Sequence, residues 1–279
     1  MFFLFLACIS TSSSKKNTGT LLLQPCDHSD WPLSQTIKDA LMSAGMTQCM
    51  MPFDIVIAAD QNIPQTYTKM VSTIVSEMVD ADGDGMADDR AVVEKLQNAT
   101  SAWLAMPMDE ESWENQQRPL LEGVLGYDLI VPMWWMAEDT PPAIPNAHAK
   151  AVMVEEVTHF FTQFGWSSAY PTQFGVENWD SIVAQETRRA ACDWWQHPEN
   201  SCPDQPAEYD GDCTDPSCDV VEFYHQVLIV RAGMTPGWFG IGFPETAEAL
   251  EEKLSAEMKA VMDASQFHQR KTPLRFSYP

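Results

Sequence analysis

Residues 152–165 read VMVEEVTHFFTQFG, two adjacent acids followed three residues later by a histidine, set in apolar residues at helical spacing. Pro145 and Asn146 supply a helix start and Gly165 a stop, so the pattern predicts a helix over 147–164. On that helix His148, Glu155 and His159 project within one narrow arc, because their separations are close to whole numbers of turns. Met153, Val157, Phe160, Phe161 and Phe164 form the opposite, apolar stripe. Taken alone, the polar arc is equally a solvated face and a metal-binding one.

Working outward, the chain before this helix alternates short apolar runs with helical patterns. Helices are expected over 31–44, capped by Ser34, over 64–78 and over 90–98, and strands over 53–58, 102–106 and 128–134. After it, helices are expected over 181–195, 218–232 and 245–264. Strands followed by helices that carry acids and histidines make an α+β plan. At 279 residues the chain can bury one substantial core, so residues 25–279 are read as a single domain behind a leader and tether at 1–24.

The EEVTH segment resembles the zincin metallopeptidase motif HExxH, in which two histidines one turn apart hold Zn²⁺ and the glutamate between them activates water. Carried over by position, Glu155 stands at the first histidine, Glu156 at the general base and His159 at the second histidine. The resemblance therefore implies a zincin-like fold and a metal held by Glu155 and His159, with Glu156 as catalytic base. A carboxylate in place of the first histidine hardens the site and suits Mn²⁺ or Fe²⁺ as well as Zn²⁺.

Glu222 is the candidate third ligand. It interrupts the apolar run VVEFYHQVLIV, where an acid is costly unless it meets a metal or a base; Arg188 or Arg189 could supply that base. A competing pattern is also present, since Glu156 to His159 and Glu222 to His225 are both ExxH. Two such helices, with further acids such as Glu186 and Glu122, resemble di-iron carboxylate bundles. His148, His225 and Glu186 are accordingly additional candidate ligands.

A second cation site is expected in DADGDGMADD, residues 80–89. Asp80, Asp82, Asp84 and Asp88 supply carboxylates around a glycine turn and Met86 a backbone carbonyl, the hard oxygen set that Ca²⁺ takes. The loop resembles those of EF-hand, dockerin and thrombospondin type 3 repeats. It departs at the twelfth position, where an EF-hand has a bidentate acid and this chain has Ala91.

The opening MFFLFLACISTSSSKKNTGT resembles a bacterial lipoprotein signal with Cys8 as the lipidated residue. It implies export and a cell-envelope location, with membrane contact only through that anchor; the apolar run is too short to span a bilayer. Removing Cys8 from the seven cysteines leaves an even number, which suits disulfides in an oxidising compartment. Proximity pairs Cys26 with Cys49, Cys192 with Cys202, and Cys213 with Cys218. The net charge of -24, from 40 acids against 16 bases, argues against a nucleic-acid partner and for cations.

The segments FDIVIAADQNIP, DADGDGMADDRAVVEKL, EEVTHFFTQFGWSSAYPTQFG, CTDPSCDVVEFY and VMDASQFHQRKTPLRFSYP are similar, in that order, to a group of uncharacterised secreted proteins bearing EExxH. The resemblance covers most of the chain from Phe53 onward and carries no established activity. At the position of His225 the group usually has an aromatic, which argues against the di-iron pattern. Trp134 with Trp135 and Trp194 with Trp195 could each form a sugar platform or simply pack. Two functions remain: a calcium-binding metallohydrolase acting on a peptide or related amide, and a non-catalytic calcium-stabilised surface or binding protein.

Overall fold

The computed structural model describes residues 22–136, 142–196, 202, 216–234 and 242–279. The leader with Cys8 lies outside them, as does Cys213. No helix of the described residues is long and apolar enough to cross a membrane.

A five-stranded mixed sheet organises the α+β chain. Its strands are β1 (Gln24–Pro25), β2 (Gln48–Met50), β3 (Ile57–Ala59), β4 (Ala102–Met106) and β5 (Tyr127–Ile130), in that spatial order. The first two pairings are antiparallel and the last two parallel. Parallel neighbours need crossovers. Helices α2 (Gln65–Val79) and α3 (Arg90–Leu96) connect β3 to β4, and a helical stretch of α4 (Glu110–Ser112), a π turn at Trp113–Gln117 and α5 (Arg118–Leu121) connects β4 to β5. Helix α1 (Gln35–Ser43) connects β1 to β2, and Ser34 caps it by accepting from the Ile37 amide.

Both sheet faces are covered, as the unbroken apolar run of β4 requires. Side chains alternate across the sheet. Ile57, Ala59, Leu104 and Met106 enter the main core, while Ala58, Trp103 and Ala105 meet Leu41, Trp113 and Leu121 on the other side. The second half of the chain then builds the main core outward with α6 (Met133–Met136), α7 (Ala147–Phe160), α8 (Ser167–Ala169), α9 (Pro171–Phe174), α10 (Ile182–Asp193), α11 (Pro216–Arg231), α12 (Ala247–Lys253) and α13 (Ala256–Asp263). Helix α7 packs against α2, β5 and α11.

Several sequence expectations need correcting. Gly165 does not stop the central helix, which passes from α7 through a π turn at Phe161–Trp166 into α8. A Cβ at Gly165 would lie 2.9 Å from Cγ1 of Val92, so the glycine lets α3 pack closely. Thr158 and Thr162 return hydrogen bonds to the carbonyls of Val154 and Thr158 at 2.7 and 2.8 Å, a habit that bends helices. The expected strand over 53–58 begins only at Ile57, because Phe53 and Asp54 adopt positive φ of 52° and 63°. The 128–134 run ends as a strand at Ile130 and turns helical after Pro132, which has no amide to donate. The 245–264 helix is broken between α12 and α13, where Ser255 caps α13 and its own amide donates to Glu186 at 3.0 Å.

Cys26–Cys49 and Cys192–Cys202 are disulfides with Cα atoms 4.8 and 5.2 Å apart. Cys218 is also disulfide-bonded. Such bonds persist in oxidising compartments outside the cytosol.

Candidate metal centre

Helices α7 and α11 cross inside the main core and bring four side chains to one point. Glu155 and His159 of α7 and Glu222 and His225 of α11 each offer one ligand atom, and these atoms all lie within 4.8 Å of one another. Helix α7 is fixed at its start by Asn146, which accepts from the Ala149 amide at 2.8 Å. Helix α11 is apolar on nearly all sides, with Val220, Phe223, Tyr224, Val227 and Leu228 fully buried, so it must run through the interior. An acid on such a helix needs a partner, and here it faces the histidine of α7.

The spacings match a shared ion better than hydrogen bonding. Nε2 of His159 lies 3.6 Å from Glu222 and Nδ1 of His225 lies 4.0 Å from Glu155, both too long for hydrogen bonds. Two ligand atoms about 2.1 Å from one tetrahedral ion stand about 3.4 Å apart. The buried Nε2 of His159 has no hydrogen-bond partner among the described residues. An orphaned imidazole nitrogen aimed at a carboxylate across that gap is what a metal-binding residue set presents.

Glu156 stands behind this cluster. Its carboxylate lies 3.4 Å from Nδ1 of His159, and both side chains are under 10 % exposed, whereas those of Glu155 and Glu222 are 20 % exposed. The second nitrogen of His159 is thereby held while the first points to the cluster. The zincin comparison had placed Glu156 at the reacting water; the observed contact is with the back of the histidine ring.

Burial pushes the Glu155 carboxyl up to about 8, opposed by His159 and reinforced by Glu222 and Glu156. Burial likewise raises Glu156, against its bond to His159. For His159 burial favours the neutral ring, but Glu222, Glu156 and Glu155 together overcome it and lift the value to about 10. Without a divalent cation the cluster therefore holds protons. Both raised values mean that the folded chain binds more protons than the unfolded one, so stability falls as pH rises through about 8 for Glu155 and about 10 for His159. A cation displaces those protons and gains affinity with pH. Melting curves between about pH 6 and 9 should therefore diverge, the chelated protein losing stability and the stabilisation by Zn²⁺ or Mn²⁺ growing. A gap that is constant with pH would contradict this.

Other sequence candidates lie elsewhere. Glu186 is taken by Arg189 and the Ser255 amide, and His148 binds the Trp135 carbonyl at 2.8 Å. Neither belongs to the cluster, so among the described residues Glu186 does not supply the further acid that the di-iron pattern would use. Glu122 follows α5 rather than lying within a helix. Trp195 is fully buried against Phe223, so that tryptophan pair packs rather than offering a sugar platform.

In the acidic loop, carboxylate oxygens of Asp80, Asp82 and Asp88 lie within 4.8 Å of one another. Asp80 accepts from the amides of Gly83 and Gly85 at 2.8 Å each. Asp84 stands outside the trio and accepts from the Met86 amide at 2.8 Å. Asp88, the ninth position counted from Asp80, joins the trio and also accepts from the Ala81 amide at 2.8 Å. The loop is also gripped by a segment that the sequence reading missed: Tyr278 donates to Asp80 across 198 positions.

No family model matches this chain. Neither does any curated protein or solved structure. The functional argument therefore rests on the geometry of α7 and α11 and on the residue types that they carry.

Proposed function

We propose that this protein is an exported, calcium-stabilised metallohydrolase with a zincin-like centre, using a divalent transition metal held by Glu155, His159, Glu222 and His225 to cleave a peptide or related amide. The supporting observation is the convergence of those four ligand atoms within 4.8 Å in a site whose two glutamates reach solvent. A divalent ion there would polarise a substrate carbonyl and make an attacking water more acidic. In this reading the second carboxylate oxygen of Glu155 or Glu222, the one not offered to the ion, accepts the water's proton. Glu156 orients His159 rather than acting as the base. The donor set suits Zn²⁺, Mn²⁺ or Fe²⁺. In this reading Cys8 carries the lipid anchor of a bacterial cell-envelope protein.

The number of ligands favours a second reading. Four protein ligands complete the shell of zinc, as in structural sites, whereas catalytic zinc usually keeps a position open. The centre would then fasten α7 to α11 in a non-catalytic surface or binding protein. Fluorescent casein and short N-acyl peptides, incubated with chelated protein reloaded with Zn²⁺ or Mn²⁺, separate the two. Under the first reading hydrolysis follows metal loading and is lost in Glu155→Gln. Glu156→Gln should weaken metal binding about 10- to 100-fold and recover activity at higher metal concentration. Stoichiometric metal without hydrolysis of any substrate would establish the structural reading.

The loop at 80–89 is read as the calcium site, with Asp80, Asp82 and Asp88 as its carboxylate ligands and the Met86 carbonyl as a further oxygen donor. Ca²⁺ should raise the melting temperature of the chelated protein, and Asp82→Ala should remove most of that rise, since Asp82 is exposed and carries no core packing. An equal rise in the variant would discard the assignment.

A further inference from the structure

One sizeable cavity among the described residues stands away from the metal cluster. It measures about 1110 Å³ and lies beside β5, lined by none of the cluster's residues, though Gln163 on its wall is one turn beyond His159. Sites for small molecules commonly enclose a few hundred to about 1,000 Å³, so this one accommodates more than a single sugar ring.

Its wall carries an unusual aromatic. Tyr127 is 76 % exposed, yet its ring lies parallel to that of Phe164, with centroids 6.3 Å apart and planes 10° from each other. Phe164 is itself packed on the main core and in edge contact with Phe160. The tyrosine is thus an exposed ring lying parallel to and offset from Phe164, a neighbour that restrains it and lowers the cost of ordering it on binding. Around it the wall presents Arg118, Asp128, Gln163 and Asn178, a mixture of charge signs and neutral amides.

We propose that this cavity is a binding site for a neutral oligosaccharide, with Tyr127 as its stacking platform. A pyranose ring has an apolar face of C–H groups and a rim of hydroxyls, each both donor and acceptor. An exposed aromatic face receives the first, as amphipathic aromatics do at interfaces. Amides, carboxylate and guanidinium satisfy the second, because amides both donate and accept, carboxylate accepts and guanidinium donates. Walls of mixed sign on a chain of net charge -24 disfavour a polyanionic glycan. The proposal does not depend on the metal centre.

The competing occupant is an extended peptide, since β5 ends the strand order and a peptide could add to its edge. Titration calorimetry of the intact, metal-loaded protein with N-acetylchitohexaose, cellohexaose and an uncharged hexapeptide distinguishes them. We expect one of the two sugars to bind, Tyr127→Ala to weaken it at least tenfold and Tyr127→Phe to retain it, with metal content and melting temperature unchanged in both variants. Failure of both sugars to bind, sugar binding indifferent to Tyr127→Ala, or Tyr127-dependent binding of the peptide alone would each overturn the proposal.

Discussion

Zn²⁺ or Mn²⁺ added to the chelated, calcium-saturated protein should raise its melting temperature by roughly 10 °C, and the same addition to His159→Ala should do nothing. A ligand that binds only the folded state contributes about 4 kcal/mol at a thousandfold excess over its Kd, and a domain of this size gains a few degrees for each of those kcal/mol. His159 is the natural target because Glu156 holds one of its nitrogens at 3.4 Å while the other, without a hydrogen-bond partner among the described residues, points toward Glu222 across 3.6 Å. Its removal also leaves a gap between α7 and α11 that destabilises the chain by itself. Glu155→Gln avoids that ambiguity by keeping the volume while removing one of three crowded carboxylates. The metal-free variant should melt higher than the metal-free parent, whose Glu155 is charged only above about pH 8, yet bind metal poorly. Stabilisation on one side of the experiment and loss on the other is not what a packing defect produces. A variant that binds one equivalent of metal as tightly as the parent would remove Glu155 from the centre.

This centre was legible in the sequence to the extent that it lay within single helices. Glu155 to His159 and Glu222 to His225 are local spacings, and a 3.6-residue period states which of their side chains can share a face. Glu222 stood out because its neighbours are so apolar. The contact of Glu156 with the back of His159 is also a local i,i+3 pair, and it was passed over because the zincin comparison placed Glu156 at the reacting water. Strands β1 and β2, at two and three residues, are too short to show a period; their pairing is visible only through the Cys26–Cys49 bond. Gly165 misled for a related reason. Glycine marks a stop in an isolated helix, but here the missing side chain admits Val92 from another element. Ser255, the cap of α13, lies inside an unbroken helical pattern over 245–264 and so gave no sign of a break. The grip of residues 270–279 on the acidic loop joins positions nearly two hundred apart and leaves no periodic trace.

That grip leads to the second large effect. Glu77, in the last turn of α2, is fully buried and accepts from the amides of Arg275 and Ser277 at 2.6 and 2.7 Å. Arg270, 6 % exposed, lies 3.5 Å from the same carboxylate and donates to the Glu77 carbonyl at 2.5 Å. Burial pushes the Arg270 guanidinium down and Glu77 opposes the shift; since arginine stays cationic, the acid is the counter-charge of a buried cation. Glu77→Ala strands that cation and two backbone amides together, and breaking one side of a buried pair costs about 3–5 kcal/mol. The expected result in chemical denaturation is a loss of that size, with the melting temperature lowered by roughly 10 °C. The damage should also spread in one direction. Residues 275–279 carry Tyr278 to Asp80, Arg275 to the Ala81 carbonyl and Pro279 against Gly83, so their release unties the loop proposed to hold calcium. Protease should then cleave within 270–279 before it cuts elsewhere, and Ca²⁺ should bind more weakly, while the metal centre between α7 and α11, which none of these bonds touches, keeps its affinity. Equal loss at both sites would mean that the substitution loosens the whole core, and no loss at the loop would mean that the closing segment merely rests on it.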